Sequence, residues 1–215
     1  MYKKKPFFIV FEGVEGCGKS YQSKKLTKNL NKKGISSILT REPGGTRGAE
    51  SIRSLILKDY FKKDKGEKFD KYTDTLLYLA ARNEHIINKI KPALKKKKII
   101  ICDRFIDSTF AYQVYGKKVN KSFIDNIHSF ILRGIKPNLV FILKVSSNSS
   151  KIRLKNRKTK NRYDNFSQSF YTEAQNSFLK IAKNKKNYFV LDSSKNNSNL
   201  EKKIFKIVFN FLKIK

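Results

Sequence analysis

The sequence predicts an α/β fold, with a five-stranded parallel sheet covered by helices on both faces. Three observations predict it. Short apolar runs of strand character alternate with stretches of helical periodicity from one end of the chain to the other. The first run feeds directly into Gly13-Val14-Glu15-Gly16-Cys17-Gly18-Lys19-Ser20, which fits G-x-x-x-x-G-K-[ST] at every fixed position. No Gly/Ser/Pro-rich linker divides the 215 residues, so 1–215 reads as a single domain.

Each element follows from local pattern. Phe7 to Phe11 are apolar without interruption, as a strand buried on both faces requires. A helix follows from Gln22 to Leu30; Gly34 closes it, and Ile35 to Thr40 form the second strand. Arg41 to Gly48 is too rich in Gly and Pro for either regular element. Ile52, Leu55 and Ile56 mark a helix, and Lys58 to Lys71 a charged surface connection. A long helix carries Leu76 through Ile90 and is expected to stop before Pro92. Ile99 to Asp103 is a buried strand ending on a carboxylate. Beyond it lie a helix at Asn120 to Leu132, a strand at Leu139 to Val145 and a polar, basic excursion at Lys151 to Asn165. A helix at Gln168 to Ala182, a strand at Tyr188 to Leu191 and an amphipathic helix at Leu200 to Leu212 complete the chain.

Composition excludes several classes. An apolar fraction of 39% with 13% aromatics argues against disorder, and no apolar run approaches a membrane span. The start, MYKKKPFFIVFEG, has a basic head, but its apolar run ends after five residues at Glu12, a poor signal peptide. Two cysteines, Cys17 and Cys102, do not make a disulfide framework, so a cytoplasmic compartment is expected. The net charge of +32 comes from lysines spread end to end, beside abundant Asn and Ile. That pattern is a composition bias and gives no reason to expect a specific nucleic-acid partner, although it attracts anionic nucleotides and, at low salt, RNA.

The P-loop carries the chemistry. Its glycines let successive N–H groups face phosphate oxygens, and the next helix presents its positive end to the same anion. Lys19 reaches the β- and γ-phosphates, and the Ser20 hydroxyl is suited to Mg²⁺. Asp103, at a strand end, reads either as a metal-holding carboxylate or as a helix cap. Arg104 beside it would point into the same cleft and bridge two phosphates. There is no base-reading NKxD segment for a GTPase, and the chain is short for a motor or helicase. A small-molecule kinase fits best.

Four blocks resemble the thymidylate kinase family: EGVEGCGKS (Glu12 to Ser20), TREPGGT (Thr40 to Thr46) with RSLIL (Arg53 to Leu57), LAAR (Leu79 to Arg82), and DRFIDSTFAYQ (Asp103 to Gln113). The resemblance runs from Phe7 to about Leu191. It implies a P-loop fold like that of nucleoside-monophosphate kinases, with a lid at about 151–165, homodimers, and ATP-dependent phosphorylation of dTMP to dTDP with Mg²⁺. ATP and metal would bind over Gly13 to Ser20, with Ser20 and Asp103 at the metal. Tyr78 would stack on thymine and Arg82, four residues on, donate to its O4. Thr109 and Gln113 would meet the base, while Tyr112, supported by Ser108 and Phe105, would pack under the sugar and disfavour a ribose 2′-OH. Glu15 would lie near the acceptor 3′-OH. Arg53, Arg104 and Arg41 would hold the dTMP phosphate, and Pro43 would line its site.

Lys19 and Arg104 are the catalytic candidates at the cleft. The P-loop has no arginine, so the resemblance points to lid arginines as catalysts, Arg157 first and Arg153 second. Near the lid's end the family pattern of Asp-Arg is replaced by Asn161-Arg162-Tyr163-Asp164, which removes one carboxylate. Two rivals remain at this stage: a P-loop kinase for another nucleotide or nucleoside, and a basic nucleic-acid-binding protein with a relic P-loop.

Overall fold

The computed structural model of the chain describes residues 5–58, 68–157, 163, 166–195 and 198–213. Among them five strands form a fully parallel sheet: β1 (Phe7–Glu12), β2 (Ser37–Arg41), β3 (Ile99–Asp103), β4 (Leu139–Lys144) and β5 (Tyr188–Asp192), in the order β2-β3-β1-β4-β5. The three central strands are the uninterrupted apolar ones, and Phe8–Phe11, Ile99–Cys102 and Leu139–Leu143 are all buried. Layers on both faces demand that composition, at roughly 1.5–3 kcal/mol for each large side chain buried. Phe11 and Arg41 both register with Asp103, so β1, β2 and β3 end level with one another.

The helices take their starts from local caps. α1 (Lys19–Lys32) begins out of left-handed Gly18. α2 (Arg47–Leu57) is capped by Thr46, whose hydroxyl accepts the Ala49 N–H, and α3 (Lys71–His85) by Asp70, whose carboxylate accepts the Tyr72 N–H. α3 does not stop before Pro92. It passes through a π-helical stretch, Ile86–Ile90, into α4 (Lys91–Lys95), with Pro92 as the second residue of α4. α5 (Ile106–Thr109) likewise runs into a π-helical stretch, Phe110–Gly116. α6 (Lys121–Ile131) is capped by Asn120. α7 (Ser147–Lys155), capped by Ser146, is a helix where the sequence suggested only a basic excursion. It lacks an apolar stripe, so periodicity could not reveal it. α8 (Gln168–Ala182) and α9 (Ser198–Leu212) match expectation. Most of the Lys58 to Lys71 connection, together with Asn161, Arg162 and Asp164, lies outside the described residues.

Connection direction sets the position of the site. From β1 the chain crosses outward past β3 to β2; from β3 it crosses back past β1 to β4. Right-handed crossovers then leave to opposite faces, with α1 and α9 packing together on one side. A crevice opens at the carboxyl ends of β1 and β3, the ordinary place for a ligand in such a sheet.

Candidate active site

The P-loop leaves β1 in that crevice. Gly13 has φ +136°, and a Cβ there would lie 2.5 Å from the Leu143 carbonyl oxygen, so only glycine fits. Lys19 is buried with its ammonium folded inward, donating to the carbonyls of Gly13 (2.9 Å) and Val14 (2.7 Å) and touching Cys17 Sγ at 3.4 Å. Gly13, Val14 and Cys17 thus form the back of the loop. Glu15, Gly16, Gly18, Lys19 and Ser20 line a cavity of about 370 Å³.

Asp103 and Arg104 enter from β3. Asp103 Oδ2 accepts the Ser20 hydroxyl at 2.5 Å. Arg104 takes φ +73°, uncommon for a side-chain-bearing residue, just after its N–H has extended the sheet by donating to the Phe11 carbonyl. The reversed backbone then turns the Phe105 and Ser108 N–H groups onto Glu12 Oε1, at 2.7 and 3.2 Å, while the Ser108 hydroxyl donates to Oε2 at 2.6 Å. Burial, reinforced by Asp107, pushes Glu12 up to about 8 against the pull of Arg104 and these hydrogen bonds.

Arg104 donates from Nη1 to the Gly13 carbonyl (2.9 Å) and Ser108 Oγ (3.0 Å), and from Nη2 to Glu15 Oε1 (2.6 Å). Glu15 Oε2 accepts the Tyr112 hydroxyl at 2.5 Å, and the Arg104 guanidinium lies 5.1 Å from the Tyr112 ring centre. Burial alone would raise Glu15, but Arg104, Lys19 and Tyr112 outweigh it and hold the carboxyl below its ordinary value. Arg53 Nη1 donates to the Pro43 carbonyl at 2.6 Å; burial and the neighbouring Arg41 charge lower its pKa. Arg41 itself is exposed and paired with Glu50 at 2.9 Å. Arg41, Pro43 and Arg53 all line the cavity, where two adjacent cations, one of them desolvated, suit an anion.

The far wall is built by α3 and the π-helical stretch. Arg82 is buried, donating from Nε to Glu42 Oε2 (2.7 Å), from Nη1 to Thr109 Oγ1 (2.7 Å) and to His128 Nε2 (2.8 Å), and from Nη2 to the Phe105 carbonyl (2.9 Å). His85 Nδ1 lies 2.9 Å from Glu42 Oε1, and its Nε2 lies 2.6 Å from Thr40 Oγ1. Burial alone would raise Glu42, but Arg82 and His85 hold it below the ordinary value. The widened turn after Thr109 lets both Ser108/Tyr112 and Thr109/Gln113 face the cavity. Gln113 Nε2 is the buried side-chain nitrogen or oxygen that, among the described residues, has no hydrogen-bond partner. The Tyr78 hydroxyl donates to the Tyr163 hydroxyl at 2.5 Å.

From α7, Arg153 donates to the carbonyls of Gly16 (3.0 Å), Ser193 (2.7 Å) and Ser194 (3.2 Å), tying the P-loop to the end of β5. Arg157 is exposed at the cavity rim. The residues singled out from the sequence therefore converge, Gly13, Val14 and Cys17 from behind. Sequence reasoning missed Glu42, His85, His128 and Tyr163 as partners. Glu42 lay within the TREPGGT block, but nothing local in the sequence pairs His128 with Arg82.

Comparison with known proteins shows the family of the chain. The thymidylate kinase family model matches residues 11–204. The chain belongs to the thymidylate kinase family. It is 40% identical to a thymidylate kinase of Ehrlichia chaffeensis over 178 residues, covering 82% of each chain, and 38% identical to one of Prochlorococcus marinus over 208 residues, covering 94% of this chain and 95% of that one. The crystal structure of thymidylate kinase from Ehrlichia chaffeensis superimposes with a TM-score of 0.74 at 32% identity, covering 95% of this chain and 99% of that one. Membership makes the protein an ATP-dependent nucleoside monophosphate kinase of the P-loop α/β fold. No helix among the described residues is long and apolar enough to cross a membrane.

Proposed function

We propose that this single domain transfers the γ-phosphoryl group of ATP to dTMP, giving dTDP, with the site residues in the roles that follow. The observation that carries the base assignment is the orphaned Gln113 Nε2 in the wall beside Arg82. A buried amide donor without a partner costs roughly 1–3 kcal/mol, which a ligand carbonyl relieves. Gln113 offers a donor and an acceptor to the O4/N3–H edge of thymine, and Arg82, which can only donate, suits O4 and opposes the amino group of cytosine. Tyr78 faces the base, and Tyr112 lies under the sugar.

Arg53, Arg104 and Arg41 hold the acceptor phosphate. On its arrival, Arg104 exchanges part of its hold on Glu15 for phosphate oxygens, leaving Glu15 to accept from the acceptor 3′-OH. Lys19 leaves the Gly13 and Val14 carbonyls for the β- and γ-phosphates, and Arg157 closes over the transferring group, whose charge is spread over three oxygens. Ser20 and Asp103 are hard oxygen donors in mutual contact whose chemistry fits Mg²⁺, and these two residues would hold it. Among the described residues no cluster of three or more His, Cys, Asp or Glu would hold a metal alone. When bound, the ion supplies charge neutralisation between the phosphates.

A homodimer is supported by exposed Leu55 on α2 and by exposed Leu76 and Tyr72 on the adjoining α3. A cytoplasmic enzyme is supported by the free thiols Cys17 and Cys102. The deciding assay is ADP release with ATP and Mg²⁺, comparing dTMP with UMP, dCMP and thymidine. Turnover with dTMP alone is expected; turnover with another acceptor instead would sink the base pocket while leaving the phosphate cleft standing.

A further inference from the structure

Arg82 forms four hydrogen bonds, to Glu42, Thr109, His128 and the Phe105 carbonyl, and a guanidinium has five N–H groups. One, on Nη2, remains for a ligand. The direction of that last N–H depends on the plane in which the other four hold the group. Glu42, Thr109 and Phe105 belong to the recognised sequence blocks; His128 comes from α6, far along the chain. Arginine cannot accept, so His128 Nε2 must bring its lone pair to Nη1 at 2.8 Å, with the proton on Nδ1. Burial and the Arg82 charge push the imidazole down to about 3, so it stays neutral and able to accept at any working pH. Its orientation is fixed further by the edge of the Phe110 ring, 5.8 Å between centres.

We propose that His128 is a positioning residue for base recognition. Its Nε2 accepts from Arg82 Nη1 and so sets the guanidinium plane that aims the remaining Nη2 N–H at the O4 carbonyl of the acceptor base. The inference rests on the base-pocket assignment of Arg82 given above. Without an acceptor at position 128, one buried N–H of Arg82 is orphaned and the guanidinium turns to satisfy it. In that assignment the reacting phosphates are held by other residues of the cavity, the P-loop, Arg53 and Arg104, so binding and base choice change while the chemical step does not.

Steady-state kinetics of His128→Leu and His128→Asn test this, with melting temperatures taken alongside. Leucine fills the space without an acceptor; the asparagine carbonyl restores one. The leucine variant is expected to raise the KM for dTMP about tenfold, to leave kcat within about twofold, and to narrow the preference for dTMP over dCMP. The asparagine variant is expected to recover most of both. If the leucine variant is not folded, His128→Met supplies the comparison, since a thioether is at best a weak acceptor. A wild-type KM and preference in the acceptor-free variant overturns the proposal; so does an asparagine variant as impaired as the leucine one, since packing alone then explains the loss. Arg82→Lys separates the two readings. If it too leaves the dTMP KM and preference unchanged, the base-pocket assignment itself falls and the proposal with it; if it is impaired while the His128 variants are normal, only the role of His128 falls.

Discussion

Gln113 is under opposing demands from folding and binding. Its amide nitrogen is buried without a partner, a state that destabilises the fold, yet in the proposed function the same nitrogen is the donor offered to a base. Gln113→Leu is therefore expected to raise the melting temperature by about 2–4 °C, the shift that roughly 1 kcal/mol brings in a chain of this size. It should also raise the KM for dTMP about tenfold. Thermal melts paired with kinetics check it, and a destabilised variant would mean that Gln113 is already satisfied. Gly45 is a second position where one atom decides. A Cβ there would lie 2.5 Å from Thr40 Oγ1 and 2.7 Å from His85 Nε2, both part of the network behind Arg82. Gly45→Ala, at φ +89°, is expected to cost about 2 kcal/mol or more and to lower the denaturation midpoint.

At the scale of elements, α7 and the residues just past it set two arginines in different surroundings. Arg153 joins the Gly16 carbonyl of the P-loop to the end of β5, whereas Arg157, just beyond the helix, is exposed at the rim. Arg153→Ala should therefore lower the melting temperature by several degrees and raise the KM for ATP. In its proposed role, Arg157→Ala should reduce kcat roughly 10²–10³-fold and lower the melting temperature less than Arg153→Ala does. Equal kcat losses with no stability difference would sink the division. The same helix marks the limit of what the sequence discloses. β1, β3 and β4 are legible because a parallel sheet covered on both faces leaves unbroken apolar runs, and the P-loop because its glycine spacing is chemical. α7 has Ser146 as its cap but no apolar stripe, so nothing in its pattern distinguishes it from a solvated loop. Pro92 misleads in the other direction: it follows the π-helical stretch and lies within the continued helix, which ends only at Lys95. In the site, most residues of the recognised blocks line one cavity, as their resemblance led one to expect, while His128 and Tyr163 become partners only through tertiary packing.

For the whole molecule, two buried groups act on stability with opposite sign. Glu12, raised from 4.5 to about 8, stabilises the fold when protonated; that contribution is full below about 4.5 and is lost as pH rises toward 8. His128, lowered from 6.5 to about 3, contributes stability that is full above about 6.5 and is lost as pH falls toward 3. The two slopes oppose each other between about 4.5 and 6.5, so the melting temperature is expected to change little there and to decline from about 6.5 to 8. Glu12→Gln should flatten the decline, and His128→Asn should expose a fall between 4.5 and 6.5; melts across pH at fixed ionic strength read both. A last consequence follows from the contact between the Tyr78 and Tyr163 hydroxyls. Tyr78 and Tyr163 line the same cavity as Arg153 and Arg157, and in the proposed assignment Tyr78 serves the acceptor while the two arginines serve the donor. On that assignment one bond enters the free energy of both sites, and linkage makes the effect mutual: whatever factor bound ATP applies to dTMP affinity, dTMP applies to ATP. Cutting the bond with Tyr163→Phe would leave each substrate its own site but reduce what either gains from the other's presence.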